Sequence, residues 1–247
     1  MKIEISVIIP FYDNFKLLKR AINSVLTQSF KKFEIIVIYD NPKNKENLYS
    51  LKRFILKKKR IKVIINKKNI GAGNSRNKGI KIAKGKFIAF LDSDDSWKKN
   101  KLLIQYNFMK KNNLKATHTS YDLVDLHNNF IKNRKAIDLN YSHLISSCDI
   151  GLSTVMIEHK LLKKYLFPNL KTKEDYVLWL KITKKRIIFH AIKKSLSSWT
   201  KRSNSLSSST YQKLLDAFSV YYVYEKFNFL KALIRVFLLS VNYIKKR

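Results

Sequence analysis

Three carboxylates within four residues, Asp92, Asp94 and Asp95 around Ser93, follow directly on the apolar run Phe87-Ile88-Ala89-Phe90-Leu91. In an open α/β sheet the carboxyl ends of the strands border the ligand crevice. Carboxylates beside phosphates hold hard divalent cations such as Mg²⁺ or Mn²⁺. The chemistry this spacing suggests is therefore a metal and nucleoside-diphosphate site. A competing reading is an acidic turn capping a helix that starts near Trp97, because Asp is a favoured N-cap residue. Upstream, Gly71-Ala72-Gly73 opens a helical pattern with Arg76 early in it. There the guanidinium and free helix N–H groups meet a phosphate, or the arginine faces solvent. The Gly-x-Gly pair fits neither a Gly-x-x-Gly-Lys-Ser loop nor a full dinucleotide fingerprint.

Groups so placed need alternating strands and helices to position them. Residues 5–9 form a short β-branched run stopped by Pro10, which reads as a buried parallel strand followed by the loop Pro10-Phe11-Tyr12-Asp13-Asn14. Leu17, Leu18, Ala21, Ile22, Val25 and Leu26 then recur at helical spacing, with Asp13 or Asn14 as cap. Residues 34–39 make a second strand ending at Asp40, and Leu48, Leu51 and Ile55 mark a second helix. Residues 61–65 make a third strand, followed by the loop at Asn69, the Ile80/Ala83 helix and the Phe87 strand. The alternation predicts an α/β fold with a mostly parallel central sheet flanked by helices and right-handed crossovers. Tyr12, Asp40, Asn69 and residues 92–94 all fall just after strands and so converge on one edge. Singly, they also read as a packed aromatic, a turn residue before Asn41-Pro42, and an Asx turn.

Farther along, Leu102, Leu103, Tyr106 and Met109 predict a helix over 98–113, and 115–121 and 153–157 predict strands. Residues 122–140 are polar and read as loop, their Asp125, His127 and Asp138 too irregularly spaced for a metal site. Phe167-Pro168-Asn169 closes the helix before it. Glu174 and Asp175 open another helix where its dipole favours acids, with Trp179 as core. After residue 209 come two aromatic-aliphatic helices, 211–227 and 229–244. In the second, Lys231, Arg235 and Asn242 share one stripe and the rest is apolar. That pattern fits packing on the catalytic domain or a second copy. It equally fits a helix lying in an anionic membrane surface, with Lys245-Lys246-Arg247 among the headgroups.

The 247 residues, 45% apolar, suit one large domain or a domain with an appendage. Cys148 is the single cysteine, which excludes an internal disulfide and a cysteine zinc cluster. A net charge of +34 admits nucleic-acid binding, attraction to an anionic membrane, or a chain-wide lysine habit. Residues 43–68 hold eleven basic residues against one acid, yet with few aromatics interleaved, Tyr49 and Phe54. Nucleic acid is therefore not expected as a partner. Met1-Lys2-Ile3-Glu4 runs straight into a strand, so no signal peptide is expected. No stretch reaches the roughly 18 apolar residues of a spanning helix. The expectation is a cytoplasmic protein, peripheral on the membrane's inner face at most.

Residues 5–205 resemble a family 2 glycosyltransferase with the Rossmann-like GT-A fold. Pro10-Phe11-Tyr12 is similar to the family's opening Pro-x-Tyr loop, and residues 34–40 to its strand ending in the acid that contacts the nucleotide base. Asn69-x-Gly-x-x-x-Ser-Arg76-Asn77-x-Gly79 resembles its Asn-x-Gly, Ala-Arg-Asn-x-Gly segment, and Leu91-Asp92-Ser93-Asp94-Asp95 its Asp-x-Asp metal motif. Glu174-Asp175 resembles its Glu-Asp motif, which implies Asp175 as catalytic base and Glu174 as a positioning acid. The resemblance further implies Mg²⁺ or Mn²⁺ on Asp94 with Asp92 nearby. It also implies a donor site of Pro10, Phe11, Tyr12, Asp40, Asn69, Arg76, Asp92, Ser93, Lys201 and Arg202. Two departures stand out. Tyr39 and Asn41-Pro42 replace the Asp before and Gly-Ser after the base-contacting acid. In the late segment ending Ser205-Leu206-Ser207, Trp199 replaces Tyr, Thr200 replaces Arg and Arg202 replaces the metal-binding His, leaving Lys201 or Arg202 to neutralise the diphosphate.

On this reading residues 1–208 are the GT-A domain, with a nucleotide-sugar half (1–97) and an acceptor half (98–208), and 209–247 are a C-terminal helical appendage. The implied activity is inverting transfer from a nucleoside diphosphate sugar to a hydroxyl of a saccharide or lipid-linked acceptor in surface polysaccharide or lipooligosaccharide assembly. A sugar nucleotidyltransferase and a basic nucleic-acid-binding protein are the alternatives. The reading leaves oligomerisation open.

Overall fold

Three of the four apolar runs of the first half form strands buried on both faces, as a parallel sheet needs, while the edge run at residues 61–65 is only partly covered. The computed structural model describes residues 2–202 and 210–245. Strands β1 (Ile5–Phe11), β2 (Phe33–Tyr39), β3 (Ile61–Ile65) and β4 (Phe87–Phe90) alternate with helices α1 (Phe15–Leu26), α2 (Lys45–Ile55) and α3 (Ala72–Ile82). All their pairings, β2 with β3, β1 with β2 and β1 with β4, are parallel. Strand β1 does not stop at Pro10, as the sequence reading expected, but continues through it opposite Ile38. The phenylalanine that follows gives its carbonyl to Asp40 on the β2 side, so Pro10 faces β4, whose pairing has ended at Phe90. The N–H that proline lacks has no ladder partner there. Asn14, in the left-handed conformation at φ 69°, caps α1 by accepting from the Leu17 N–H.

The second half is mixed. It comprises β5 (Ser96–Trp97), α4 (Lys101–Lys111), β6 (Ala116–Val124), β7 (Phe130–Arg134), α5 (Tyr141–Leu144), β8 (Met156–Glu158), α6 (His159–Leu162), α7 (Glu174–Thr183) and β9 (His190–Thr200). Among the described residues the nine strands join one sheet in the order β3-β2-β1-β4-β8-β6-β9-β5, with β7 beside β6. Strand β8 runs antiparallel between β4 and β6, while β6 and β9 are parallel. Three expectations need correction. No helix starts near Trp97: that residue lies in β5, and α4 begins at Lys101, so the acidic turn caps nothing. The polar stretch 122–140 is largely a β-hairpin, turned where Asp125 accepts the N–H groups of His127 and Asn129. Helix α6 ends at Leu162, well before Phe167.

Helix α8 (Thr210–Ser219) runs into a π-helical turn, Val220–Tyr224, and α9 (Phe229–Lys245) follows. Val220, Tyr221, Ala232 and Leu239 join the core that holds Tyr176 and Trp179 of α7. Two of the three residues in the polar stripe of α9 face inward: Arg235 and Asn242 donate to the hydroxyl and carbonyl of Ser146, just beyond α5, while Lys231 is exposed over the Phe227 ring. Its apolar side faces out, with Phe229, Leu230, Leu233, Ile234, Phe237 and Leu238 exposed.

Candidate active site

The strand ends meet at one edge, and the loop after β3 is pinned there by Asp40. That buried carboxylate accepts from Asn66 Nδ2 at 2.7 Å and from the Ile70 and Gly71 N–H groups at 2.9 Å each. Little of it is left for a nucleotide base. Asn69 is exposed and accepts from the Gly71 N–H, an Asx turn at the entrance to α3, with Gly71 at φ 82°. Tyr12 is 51% exposed at the end of β1. Phe11 belongs to the core instead, its ring 5.4 Å from that of Tyr39, because an alternating strand turns it away from the edge.

Arg76 does not face solvent. It is buried beneath the edge, donating through Nη1 to Glu174 Oε1 and through Nη2 to Asp92 Oδ1, both at 2.7 Å, with its guanidinium over the Phe167 ring. Burial would lower its pKa, but Asp92 and Glu174 more than offset this and raise it, so the charge stays. Helix α3 and the start of α7 can approach because residue 73 is glycine: a Cβ there would stand 2.9 Å from Glu174 Cγ. One arginine thus ties the end of β4 to the Glu-Asp segment.

The three carboxylates after β4 divide their work. Asp95 is buried, accepting from the Ser153 hydroxyl at 2.6 Å and the Thr200 N–H at 3.0 Å. Burial, with Asp94 and Asp92 adding to it, pushes its pKa well up, and its role is to lock the turn onto β9. Asp92 and Asp94 stay part-exposed with Ser93 at the turn. Asp92 keeps Oδ2 beside the Arg76 bond, and Asp94 meets Arg202 Nη1 at 3.3 Å. Burial and the Asp92 charge raise Asp94, against the pull of Arg202. Lys201 is exposed, its backbone bonded to Val124. Residues 205–207 lie outside the described residues.

Arg20 was not foreseen. From α1 it donates to the Asp94 carbonyl at 2.5 Å, the Thr200 hydroxyl at 2.7 Å and Asn128 Oδ1 at 2.9 Å, fastening the carboxylate turn to β9 and the β6–β7 turn. Ser153 was missed too: its hydroxyl accepts from the Asp92 N–H while donating to Asp95. Neither carries a sequence signal: Arg20 sits on a lysine-rich helix face, and Ser153, expected to open a strand over 153–157, lies instead in a 3-10 turn, Leu152–Thr154, ahead of β8.

Helix α7 begins after Lys173, held at φ 62°, and places Glu174 and Asp175 in its first turn. Burial pushes Glu174 up to about 7 against the pull of Arg76. Burial also raises Asp175, opposed by Arg76 and by the Tyr176 N–H bonded to its Oδ1. A carboxylate with a raised pKa is a better proton acceptor.

Known proteins share this architecture. A chain of Rickettsia bellii described as an uncharacterized glycosyltransferase is 38% identical over 198 residues, 78% of this chain and 28% of the relative; the chain thus spans under a third of that relative's length. The Escherichia coli protein WfgD, described as a UDP-Glc:alpha-D-GlcNAc-diphosphoundecaprenol beta-1,3-glucosyltransferase, is 36% identical over 182 residues, 73% of this chain and 70% of WfgD. In fold the chain matches a crystal structure of S. aureus TarS 1-349 in complex with UDP-GlcNAc at a TM-score of 0.72 and 24% identity, covering 90% of this chain and 65% of that one. The family model for glycosyl transferase family 2 matches residues 6–178, well over half the sequence and all the strand-end groups but those of β9. The chain belongs to glycosyl transferase family 2.

Proposed function

We propose that this chain transfers a sugar, with inversion, from a nucleoside diphosphate sugar to a hydroxyl of a lipid-linked saccharide in surface polysaccharide or lipooligosaccharide assembly. One observation carries the reading: buried Arg76 ties the Asp92–Asp94 turn to the Glu174-Asp175 helix start, so donor and acceptor chemistry share one edge. A UDP-sugar is the preferred donor, because the name of WfgD gives UDP-Glc. Asp94 and Asp92 would hold Mg²⁺ or Mn²⁺. Among the described residues no three ligand side chains cluster. Two part-exposed carboxylates nevertheless suit Mg²⁺, which takes one or two of them together with substrate phosphates and waters. When bound, the cation supplies positive charge where the leaving diphosphate becomes more negative. Asp175 accepts the proton of the attacking hydroxyl, and Glu174 fixes that helix start through Arg76. Arg202, already at Asp94, and Lys201 take diphosphate charge. Tyr12, Pro10, Asn69 and Ser93 border the nucleoside. Asp40 holds the nucleoside loop in shape.

The outward apolar face of α9 supports a peripheral membrane position, where a lipid-linked acceptor is met. Residues 211–247 carry seven basic side chains against two acids, which suits anionic headgroups. No helix among the described residues is long and apolar enough to cross a membrane. The test of the donor reading is a thermal-shift and hydrolysis screen of nucleotide sugars with Mn²⁺, in which a bound donor raises the melting temperature as ln(1 + [L]/Kd). No shift with any donor contradicts it.

A further inference from the structure

The two part-exposed carboxylates of the turn after β4 each face an arginine, and the two pairs differ in kind. Arg76 gives one nitrogen to Asp92 and the other to Glu174, both at 2.7 Å, and its side chain is only 5% exposed. That arrangement is fixed, because withdrawing a partner would leave buried charge unpaired. Arg202 reaches Asp94 Oδ2 through Nη1 at 3.3 Å, with 28% and 24% of the two side chains exposed. A long, partly solvated contact of this sort adds little stability and exchanges readily. Its placement is nevertheless built. Arg20 Nη2 donates to the Asp94 carbonyl at 2.5 Å and to the Thr200 hydroxyl at 2.7 Å, so one nitrogen holds the carboxylate turn and the end of β9 together. The Thr200 N–H bonds Asp95 at 3.0 Å and the Lys201 N–H bonds the Val124 carbonyl at 2.8 Å. Arg202 is the next residue, delivered to the turn by that anchored strand end. Arg20 takes the backbone of Asp94, and Arg202 its carboxylate.

We infer that Arg202 is an exchangeable counter-ion of Asp94: it competes with a divalent cation for that carboxylate, and the donor's diphosphate draws it off. A guanidinium has no lone pair to offer a metal and stays charged, so at Asp94 it opposes a cation instead of sharing in its binding. A diphosphate carries more negative charge than one carboxylate and matches the planar fork, which makes it the better partner. Nucleotide binding therefore frees Asp94 just as phosphate oxygens, the further ligands a hard cation takes, reach the turn. Cation and nucleotide each raise the other's affinity, and by the same factor. Arg76, held on both sides, takes no part in the exchange. The inference rests on the transferase reading and adds how the donor site fills.

The test is calorimetric binding to the full chain, with MnCl₂ alone and metal-free UDP as probes; if UDP does not bind, the nucleoside diphosphate of the donor found in the screen replaces it. Arg202→Gln should raise the affinity for Mn²⁺ alone about tenfold and lower that for the metal-free nucleotide about tenfold. A merely structural role would move both in the same direction. Lys201→Gln removes the same charge one residue away and should change Mn²⁺ affinity by less than about twofold, which separates the contact from the general field. Arg202→Lys, which keeps the charge, should return both affinities most of the way. Asp94→Asn should tighten metal-free nucleotide binding, and that gain should vanish when Arg202→Gln is added. Arg202→Ala serves as the second variant should Arg202→Gln melt lower than the parent. Mn²⁺ affinity that is unchanged or lower without Arg202, or unmeasurable with and without it, overturns the inference. So does a nucleotide gain in Asp94→Asn that persists without Arg202. Because binding and not turnover is read, these failures leave the transferase reading standing; that reading fails instead if no nucleoside diphosphate is released from any donor.

Discussion

Arg76 shows how much a single side chain can hide from a sequence. Its place in the motif is legible, but its burial and its two carboxylate partners, sixteen and ninety-eight positions away, are set by tertiary packing. Removing one partner of a buried ion network leaves unpaired charge, so Arg76→Met should cost about 3–5 kcal/mol in urea unfolding. Lysine cannot reach both carboxylates in the same way and should rescue little. Asp94→Ala and Asp175→Ala, in folded protein, should each lower turnover by about two decades or more; a fully active Asp175→Ala would remove the base assignment. Lys101 was legible only as part of a helix. It is fully buried, its ammonium 4.2 Å from the Trp97 ring and 2.7 Å from Gln105 Oε1, and burial lowers its pKa to about 7. Between about pH 7 and 10.5 the unfolded chain holds a proton that the folded chain has released, so stability rises with pH across that window. Lys101→Met should remove this rise, worth on the order of a few kcal/mol, and stabilise the protein most at neutral pH and below. Parallel pH dependence in both proteins would contradict it.

At the level of elements, the first half follows from its pattern because parallel strands and amphipathic helices report their burial directly. The second half does not. Strand β9 carries Lys193, Lys194 and three serines, and its pairing with β6 slips twice around Ser120, so neither run nor alternation marks it. The hairpin at β7 reads as loop because its outer face is solvated. The start of α7 depends on an element far along the chain: Asp216 of α8 accepts from both the N–H and the hydroxyl of Thr172, at 2.8 and 2.7 Å. Asp216→Ala leaves those donors buried and unpaired, at a cost of about 1–3 kcal/mol. If α8 sets the position of Asp175, kcat should fall while donor affinity holds. Gly73→Ala should likewise harm activity by pushing Glu174 off Arg76; an unchanged kcat in both variants would separate α7 from the chemistry.

For the whole molecule, the proposed membrane position draws on both the charge of +34 and the outward face of α9. Both faces of that helix were visible as a pattern, but which one turns inward was not, because Arg235 and Asn242 dock on the hydroxyl and carbonyl of Ser146 beside an apolar seam of only Ala232, Val236 and Leu239. Truncation would remove core residues such as Leu239 along with the surface, so substitution is the sharper probe. Leu230→Glu with Phe237→Glu should abolish binding to vesicles containing anionic lipid at low salt without lowering the melting temperature. Vesicle binding that persists in the double variant would assign the face to another partner. The central claim is inverting transfer from a nucleoside diphosphate sugar, and product analysis tests it most directly. With the donor found by the screen and a diphosphate-linked saccharide acceptor, NMR of the products should show free nucleoside diphosphate and a glycosidic bond of opposite anomeric configuration to the donor. Pyrophosphate among the products, or retained configuration, would contradict the account.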